Sequence, residues 1–183
     1  MTNIFIALIL YALVFIIGEI SYRKFKCPFL FSRKWVHVAA SVVSFSLPYL
    51  VSNVVAVGIG LFFSLLLFIT KKKLLFKSVH DRDGFSIGEV VYPLGLAMSA
   101  LIVWPISVLA YQGSCLVLGL ADGLAGYFGN IYGKKNYSVI GGKKTVEGSV
   151  IFFLVTAVIF FIYYFLYVQN ITVIGLVLVF YSG

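Results

Sequence analysis

Long apolar runs separated by short basic loops dominate this 183-residue chain. A membrane-spanning helix needs roughly 20 consecutive apolar residues. Six runs approach this length, namely residues 2–21, 35–51, 54–70, 90–110, 114–131 and 150–168. A seventh run, 171–183, is shorter, so it is either a tilted or partial span or the place where the chain is truncated. We therefore expect an all-α, polytopic integral membrane helix bundle of about six to seven transmembrane helices, forming one domain over residues 1–183.

The basic residues predict how this bundle is oriented. All 14 Lys and Arg residues fall in the first, third and fifth loops between the runs, and the other loops have none. Because positive loops prefer the cytoplasmic side, we expect these loops in the cytoplasm and the N-terminus outside. The net charge of +8 is confined to these loops, which suits lipid head groups or a phosphorylated substrate better than nucleic acid. We expect membrane lipid and no nucleic acid as a partner.

Four of the six acidic residues lie inside apolar runs or at their edges. Glu19 can pair with Arg23 one helical turn later, which leaves three, namely Glu89, Asp122 and Glu147. A carboxylate in a bilayer is costly unless it is paired or hydrated, so such residues usually face a protein interior or a water-filled cavity. The predicted topology lets all three reach the cytoplasmic half of one cavity. Carboxylate oxygens combined with phosphate oxygens are suitable ligands for Mg²⁺.

A glycine-rich stretch begins at Asp122. Gly126, Gly129 and Gly133 follow it at intervals that place them on one face of a helix. Close helix packing is the simpler interpretation. The alternative, which we favour because of Asp122 and the basic loop that follows, is that the bare face lets a ligand approach the backbone.

The fifth loop combines several features that favour anions. Gly142 belongs to a glycine pair, which predicts a mobile turn with backbone amides available to an anion. Lys143 and Lys144 add positive charge, and Thr145 and Glu147 stand at the start of the next helix. The spacing is not that of a P-loop.

The start of the second run carries a further polar cluster. Arg33 and His37 are one helical turn apart, with Lys34 beside them. The histidine can be a simple packing residue, but its spacing from Arg33 favours a site that orients a phosphate or accepts a hydroxyl proton.

Together these motifs resemble the CTP-dependent polyprenol kinases, that is, dolichol kinase, phytol kinase and their prokaryotic relatives. The resemblance covers roughly residues 30–150. It is carried by RKWVH at 33–37, EVVYPLG at 89–95, and ADGLAGYFGNIYGKK followed by GGKKTVEGS. Phosphatidate cytidylyltransferases share the logic of the third motif, and the Arg-Lys-x-x-His element favours the kinases. The chain is shorter than dolichol kinases, which have many more spans.

The resemblance implies an enzyme that transfers the γ-phosphate of CTP to a long-chain isoprenoid alcohol with Mg²⁺, in a prokaryotic plasma membrane with a cytoplasmic active site. The implied catalytic residues are Asp122, His37, Arg33 and Glu89. The implied nucleotide- and phosphate-binding residues are Lys34, Lys143, Lys144, Gly126, Gly129, Gly133, Gly142 and Thr145. Asp122 and Glu147 would hold the metal, and either His37 or Asp122 would accept the hydroxyl proton.

Two other functions stay open at this point. A cytidylyltransferase would use the same groove to make a CDP-lipid, and a non-enzymatic carrier would use intramembrane carboxylates along a transport path. The chain length of the acceptor and the oligomeric state, including a homodimer, are also open.

Overall fold

The computed structural model describes residues 3–71, 78–79, 88–139 and 142–181, with side chains described as far as 165. Seven α-helices and one β-hairpin are present in these residues. The helices are α1 (Ile4–Arg23), α2 (Phe29–Ser46), α3 (Asn53–Lys71), α4 (Gly88–Ile102), α5 (Val108–Leu116), α6 (Asp122–Tyr132) and α7 (Val146–Tyr181). The hairpin consists of β1 (Asn136–Val139) and β2 (Gly142–Thr145).

The predicted helical membrane bundle is confirmed at the level of its fold class. Four described segments are long and apolar enough to cross a membrane, namely Ile4–Arg23, Asn53–Lys71, Val108–Tyr132 and Val146–Phe165. Helix α4 is also apolar but has only 15 residues. The count of six to seven spans stays a prediction.

Helix α2 lies at the centre of the bundle and contacts α1, α5 and α6. Its Val36, Ala40 and Val43 are buried in one apolar core with Ala7 and Tyr11 of α1. Many large side chains of the other helices are exposed, as a lipid-facing surface requires.

Helices α3 and α4 form a close pair because small residues meet at their contact. A Cβ added to Gly60 would lie 2.8 Å from the Cβ of Ala97 and 2.9 Å from the carbonyl oxygen of Pro93. Helices that pack through such small residues in a membrane gain van der Waals contact that larger side chains would prevent.

Two predicted boundaries are wrong. The apolar run 90–110 is divided, because α4 ends at Ile102 and α5 begins after Ser107, whose side chain accepts a hydrogen bond from the Ala110 amide. Pro105 lies in the turn between them and cannot donate a helical hydrogen bond. The run 171–183 does not form a separate helix, since α7 continues without a break through residue 181.

Ion pairs and polar contacts are concentrated at one end of the bundle. The Glu19 carboxylate accepts a hydrogen bond from the Ser78 amide and pairs with Arg23 at the end of α1. Lys71 at the end of α3 pairs with Glu89 at the start of α4. We call this end, where α1 and α3 finish and α2 and α4 begin, the basic end.

Candidate functional site

Two of the predicted motifs meet through an ion pair between α2 and α6. The Lys34 ammonium lies 2.9 Å from Oδ2 of Asp122 and donates a second hydrogen bond, 3.1 Å long, to the Asp122 carbonyl oxygen. The residues are 88 positions apart in the chain. Their side chains are 17% and 35% exposed, so solvent or a ligand can reach the carboxylate. The pair forms the centre of the candidate site.

Gly126 lets the lysine side chain reach this carboxylate. A Cβ at Gly126 would overlap Cε and Nζ of Lys34. Lys34 therefore crosses α6 where that helix has no side chain. At Gly126, α6 has the side-chain-free surface that was predicted for a ligand, and the Lys34 side chain covers it.

Gly129 and Gly133 face the start of α7. A Cβ at Gly129 would lie 2.6 Å from Oγ1 of Thr145 and 2.9 Å from Cα of Gly148, and a Cβ at Gly133 would overlap Thr145 as well. Thr145 donates a 3.2 Å hydrogen bond to the Gly129 carbonyl oxygen. Here the simpler interpretation, close packing of helices, describes what the glycines do, and their predicted role in a nucleotide groove stays untested.

Thr145 also caps α7. Its hydroxyl oxygen accepts a 3.1 Å hydrogen bond from the Gly148 amide, three residues on, which is the geometry of a threonine N-cap. The residue predicted to bind nucleotide thus fixes the start of α7 against α6.

The two loop lysines lie on β2 of the hairpin. Lys143 pairs in register with Ser138 and Lys144 with Tyr137, and both are exposed. Adjacent residues of a strand point to opposite faces, so the two ammonium groups diverge. Lys144 also acts electrostatically on both Lys34 and Asp122.

Gly142 is part of a strand, not of an open turn. It pairs in register with Val139. The hairpin ladder includes this residue, and the mobility of the turn stays a prediction. Gly141 lies outside the described residues.

Glu147 closes the base of the hairpin. Its Oε2 accepts a 3.4 Å hydrogen bond from the Lys135 amide, and the Val146 amide donates to the Lys135 carbonyl oxygen at 2.9 Å. This contact orients the carboxylate toward the loop backbone. Its predicted role as a metal ligand is not tested by this arrangement.

The predicted shared cavity of three carboxylates stays a prediction. Within the described part of the chain, no three His, Cys, Asp or Glu side chains are grouped closely enough to hold a metal ion. Each of the three carboxylates has partners of its own. Asp122 pairs with Lys34, Glu147 with the Lys135 amide, and Glu89 with two other cations.

Glu89 lies between Arg33 and Lys71 at the basic end. Its side chain is 0% exposed, with Oε1 3.2 Å from the Lys71 ammonium and Oε2 3.8 Å from Nη2 of Arg33. Removing one partner from a buried ion pair of this kind is strongly destabilising. Its placement suits a structural role beside the site.

His37 is buried beneath the ion pair. It is 5% exposed, and its ring stacks on the Tyr92 ring with centroids 4.2 Å apart. The Tyr92 hydroxyl donates a 2.6 Å hydrogen bond to the His37 carbonyl oxygen. Nδ1 of His37 has no hydrogen-bond partner among the described residues.

Sequence reasoning missed the residues that hold this region together. The Tyr92 hydroxyl also contacts the Ser41 hydroxyl, and a Cβ at Gly119 would overlap Ser41. Gly119 lies in a π-helical turn, Val117–Ala121, directly before Asp122. Such turns are frequent at functional sites. The spacing of Tyr92, three residues after Glu89 on the same helix face, was the available signal.

Comparison of the chain with protein-family models, with curated proteins and with solved structures found no match.

Proposed function

We propose that this protein is a CTP-dependent kinase of long-chain isoprenoid alcohols, acting at the cytoplasmic face of a membrane through six to seven spans. The observation that carries the proposal is the Lys34–Asp122 pair, because it joins the first and third motifs of the resemblance at one place. A cation and a carboxylate beside a basic hairpin, at the edge of an apolar bundle, suit a charged nucleotide and an apolar acceptor.

The donor nucleotide is held by the cations around Asp122. Lys34 and Lys144 contact its phosphates, and Arg33 supports them from the preceding position on α2. Phosphoryl transfer depends mainly on positioning and on neutralising phosphate charge. Cations fixed on packed helices supply both without reorganising during the reaction.

The donor set around Asp122 fits Mg²⁺ only together with a nucleotide. Magnesium in nucleotide sites is commonly held by one or two carboxylates plus phosphate oxygens and water. Asp122, with its partly exposed carboxylate, suits the first position, and Glu147 would be the second. Bound there, the metal would neutralise charge on the phosphate oxygens.

The acceptor alcohol reaches the site from the lipid. Its hydroxyl group lies at the interface, beside Asp122, and its apolar chain stays among exposed hydrophobic side chains. Of the two candidate proton acceptors, Asp122 is the more exposed and His37 is buried. We therefore assign the hydroxyl proton to an oxygen of Asp122 and a positioning role to His37.

The position of a radioactive label tests this proposal. Purified protein receives CTP labelled at the γ-phosphate, Mg²⁺ and a panel of prenols, and a parallel reaction uses ATP. We expect labelled prenyl phosphate and CDP. A lipid labelled only from α-labelled CTP, with release of pyrophosphate, would identify a cytidylyltransferase instead. Solute uptake that depends on Asp122, without any nucleotide turnover, would identify a carrier.

A further inference from the structure

We propose that Lys34 occupies the cation position of Asp122 until the metal-bound donor arrives, and then transfers its contact to the donor's phosphates. This inference rests on the proposed function and goes beyond it. It assigns Lys34 two positions, one at Asp122 in the free protein and one at the donor's phosphates in the complex. Gly126 provides the space for the position at Asp122. Lys34 thus acts as a positioning residue that holds Asp122 closed to metal in the free protein.

Lys34 and a metal ion would compete for the same oxygens of Asp122. The Lys34 ammonium contacts both Oδ2 and the carbonyl oxygen of Asp122, at 2.9 and 3.1 Å. A divalent metal that binds this carboxylate has to compete with a cation already bonded there. Metal without nucleotide should therefore bind weakly.

The Lys34 side chain crosses α6 at a glycine. Only the flexible end of Lys34 lies over Gly126, where a Cβ would overlap Cε and Nζ. Outside the backbone of α6, the three atoms nearest to that position all belong to the Lys34 side chain. A single methyl group at residue 126 can therefore displace the ammonium without moving a helix.

Two further cations act on the Lys34–Asp122 pair. Arg33 and Lys144 both lie within electrostatic range of Lys34 and repel it, while Asp122 attracts it. A nucleotide's phosphates would satisfy Lys34, Arg33 and Lys144 together. The carboxylate that Lys34 leaves would then be free for the metal that accompanies those phosphates. Metal and nucleotide should consequently bind with positive cooperativity.

The experiment measures Mn²⁺ binding to the full chain in detergent, without nucleotide, by electron paramagnetic resonance. Gly126→Ala displaces the ammonium and leaves the charge unchanged, and alanine is well tolerated in helices. Lys34→Met removes the ammonium. Lys144→Met is the matched control, because it removes the same charge nearby without releasing Asp122. Asp122→Asn shows which part of the signal belongs to the site.

We expect Gly126→Ala and Lys34→Met each to tighten Mn²⁺ binding about fivefold or more, which corresponds to about 1 kcal/mol. Lys144→Met should have a smaller effect, and Asp122→Asn should remove the gain when combined with Gly126→Ala. In the unaltered protein, added CTP should tighten Mn²⁺ binding.

The inference is overturned if Gly126→Ala binds Mn²⁺ no more tightly than the unaltered protein. It is equally overturned if Lys144→Met gains as much as Lys34→Met, or if none of the variants binds Mn²⁺ detectably. If the protein makes prenyl phosphate but shows any of these results, the proposed function stands and only the movement of Lys34 from Asp122 to the phosphates is refuted. If the protein shows the expected Mn²⁺ pattern but makes no prenyl phosphate, Lys34 does compete with metal at Asp122 and the kinase assignment is refuted.

Discussion

The two halves of α2 satisfy their polar side chains in different ways. At the basic end, Arg33 and Lys34 form ion pairs with carboxylates of other helices. In the other half, Ser44 forms neutral hydrogen bonds: its hydroxyl lies 2.6 Å from that of Tyr11, and its carbonyl oxygen accepts from the Tyr111 hydroxyl at 3.1 Å.

The difference separates groups that can serve a ligand from groups that cannot. Ser44, Tyr11 and Tyr111 are all buried, and both tyrosine hydroxyls are hydrogen-bonded to Ser44, so their polar groups already have partners. The Lys34–Asp122 pair is partly exposed, and a charged ligand could replace either partner. We expect substitutions in the ionic half of α2 and its partners either to lower activity or to reduce stability strongly. Substitutions in the neutral half, around Ser44, should reduce stability only modestly.

The largest expected effect is on stability at the buried carboxylate. Glu89→Gln leaves Arg33 and Lys71 without the carboxylate between them, and removal of one partner from a buried ion pair costs about 3–5 kcal/mol. Thermal unfolding in detergent measures the loss. Lys71→Met is the control, because it leaves the carboxylate paired with Arg33, and it should cost less. A Glu89→Gln variant as stable as the parent would show that the ionic half is not held together in this way.

The next effect concerns turnover. Asp122→Asn should lower the rate of prenyl phosphate formation by about 100- to 1000-fold, as the loss of a charged group that stabilises the transition state commonly does. Its stability should change little, since the Lys34 side chain can extend its ammonium to water. Rates come from γ-labelled CTP, and folding is checked by thermal unfolding. Full turnover in Asp122→Asn would remove this carboxylate from the mechanism.

A smaller effect is expected in the neutral half. Ser44→Ala removes the partner of the buried Tyr11 hydroxyl and should destabilise the protein by about 1 kcal/mol. Turnover at a temperature where the variant is folded should match the parent. A specific loss of turnover would show that the two halves of α2 do not differ in function.

The smallest effect is expected at an exposed ion pair. Arg23 is 54% exposed and pairs with Glu19 one turn earlier on α1. Such pairs contribute about 0–1 kcal/mol, so Arg23→Gln should change the unfolding temperature only slightly and leave turnover intact. If Arg23→Gln lowered the unfolding temperature as much as Glu89→Gln does, the burial of an ion pair at this end would not determine its contribution to stability.

The polar residues of the site could be predicted from sequence, but their partners could not. Asp122 and Lys34 are conspicuous because charge is costly beside apolar runs. Their pairing depends on how α2 and α6 cross, which spacing along the chain does not determine. For the same reason, the sequence did not indicate which groups pair with Glu89 and Glu147.

Local structure was predictable only where a single signal decided it. Pro105 and the N-cap residue Ser107 both indicate that the run 90–110 is divided, whereas its hydropathy indicates one continuous span. The bare face after Asp122 was predicted from helical spacing. What fills it could not be predicted, because Lys34 and Thr145 arrive there from distant parts of the chain.

A double-mutant cycle between Lys34 and Asp122 tests whether these two residues form one functional site. The measurement is kcat/KM for CTP in the parent, Lys34→Met, Asp122→Asn and the double variant. If the two residues form one site, the double variant should lose little more than the worse single variant, so the losses are strongly non-additive. Losses that simply add, or single variants with parental kcat/KM, would contradict the account.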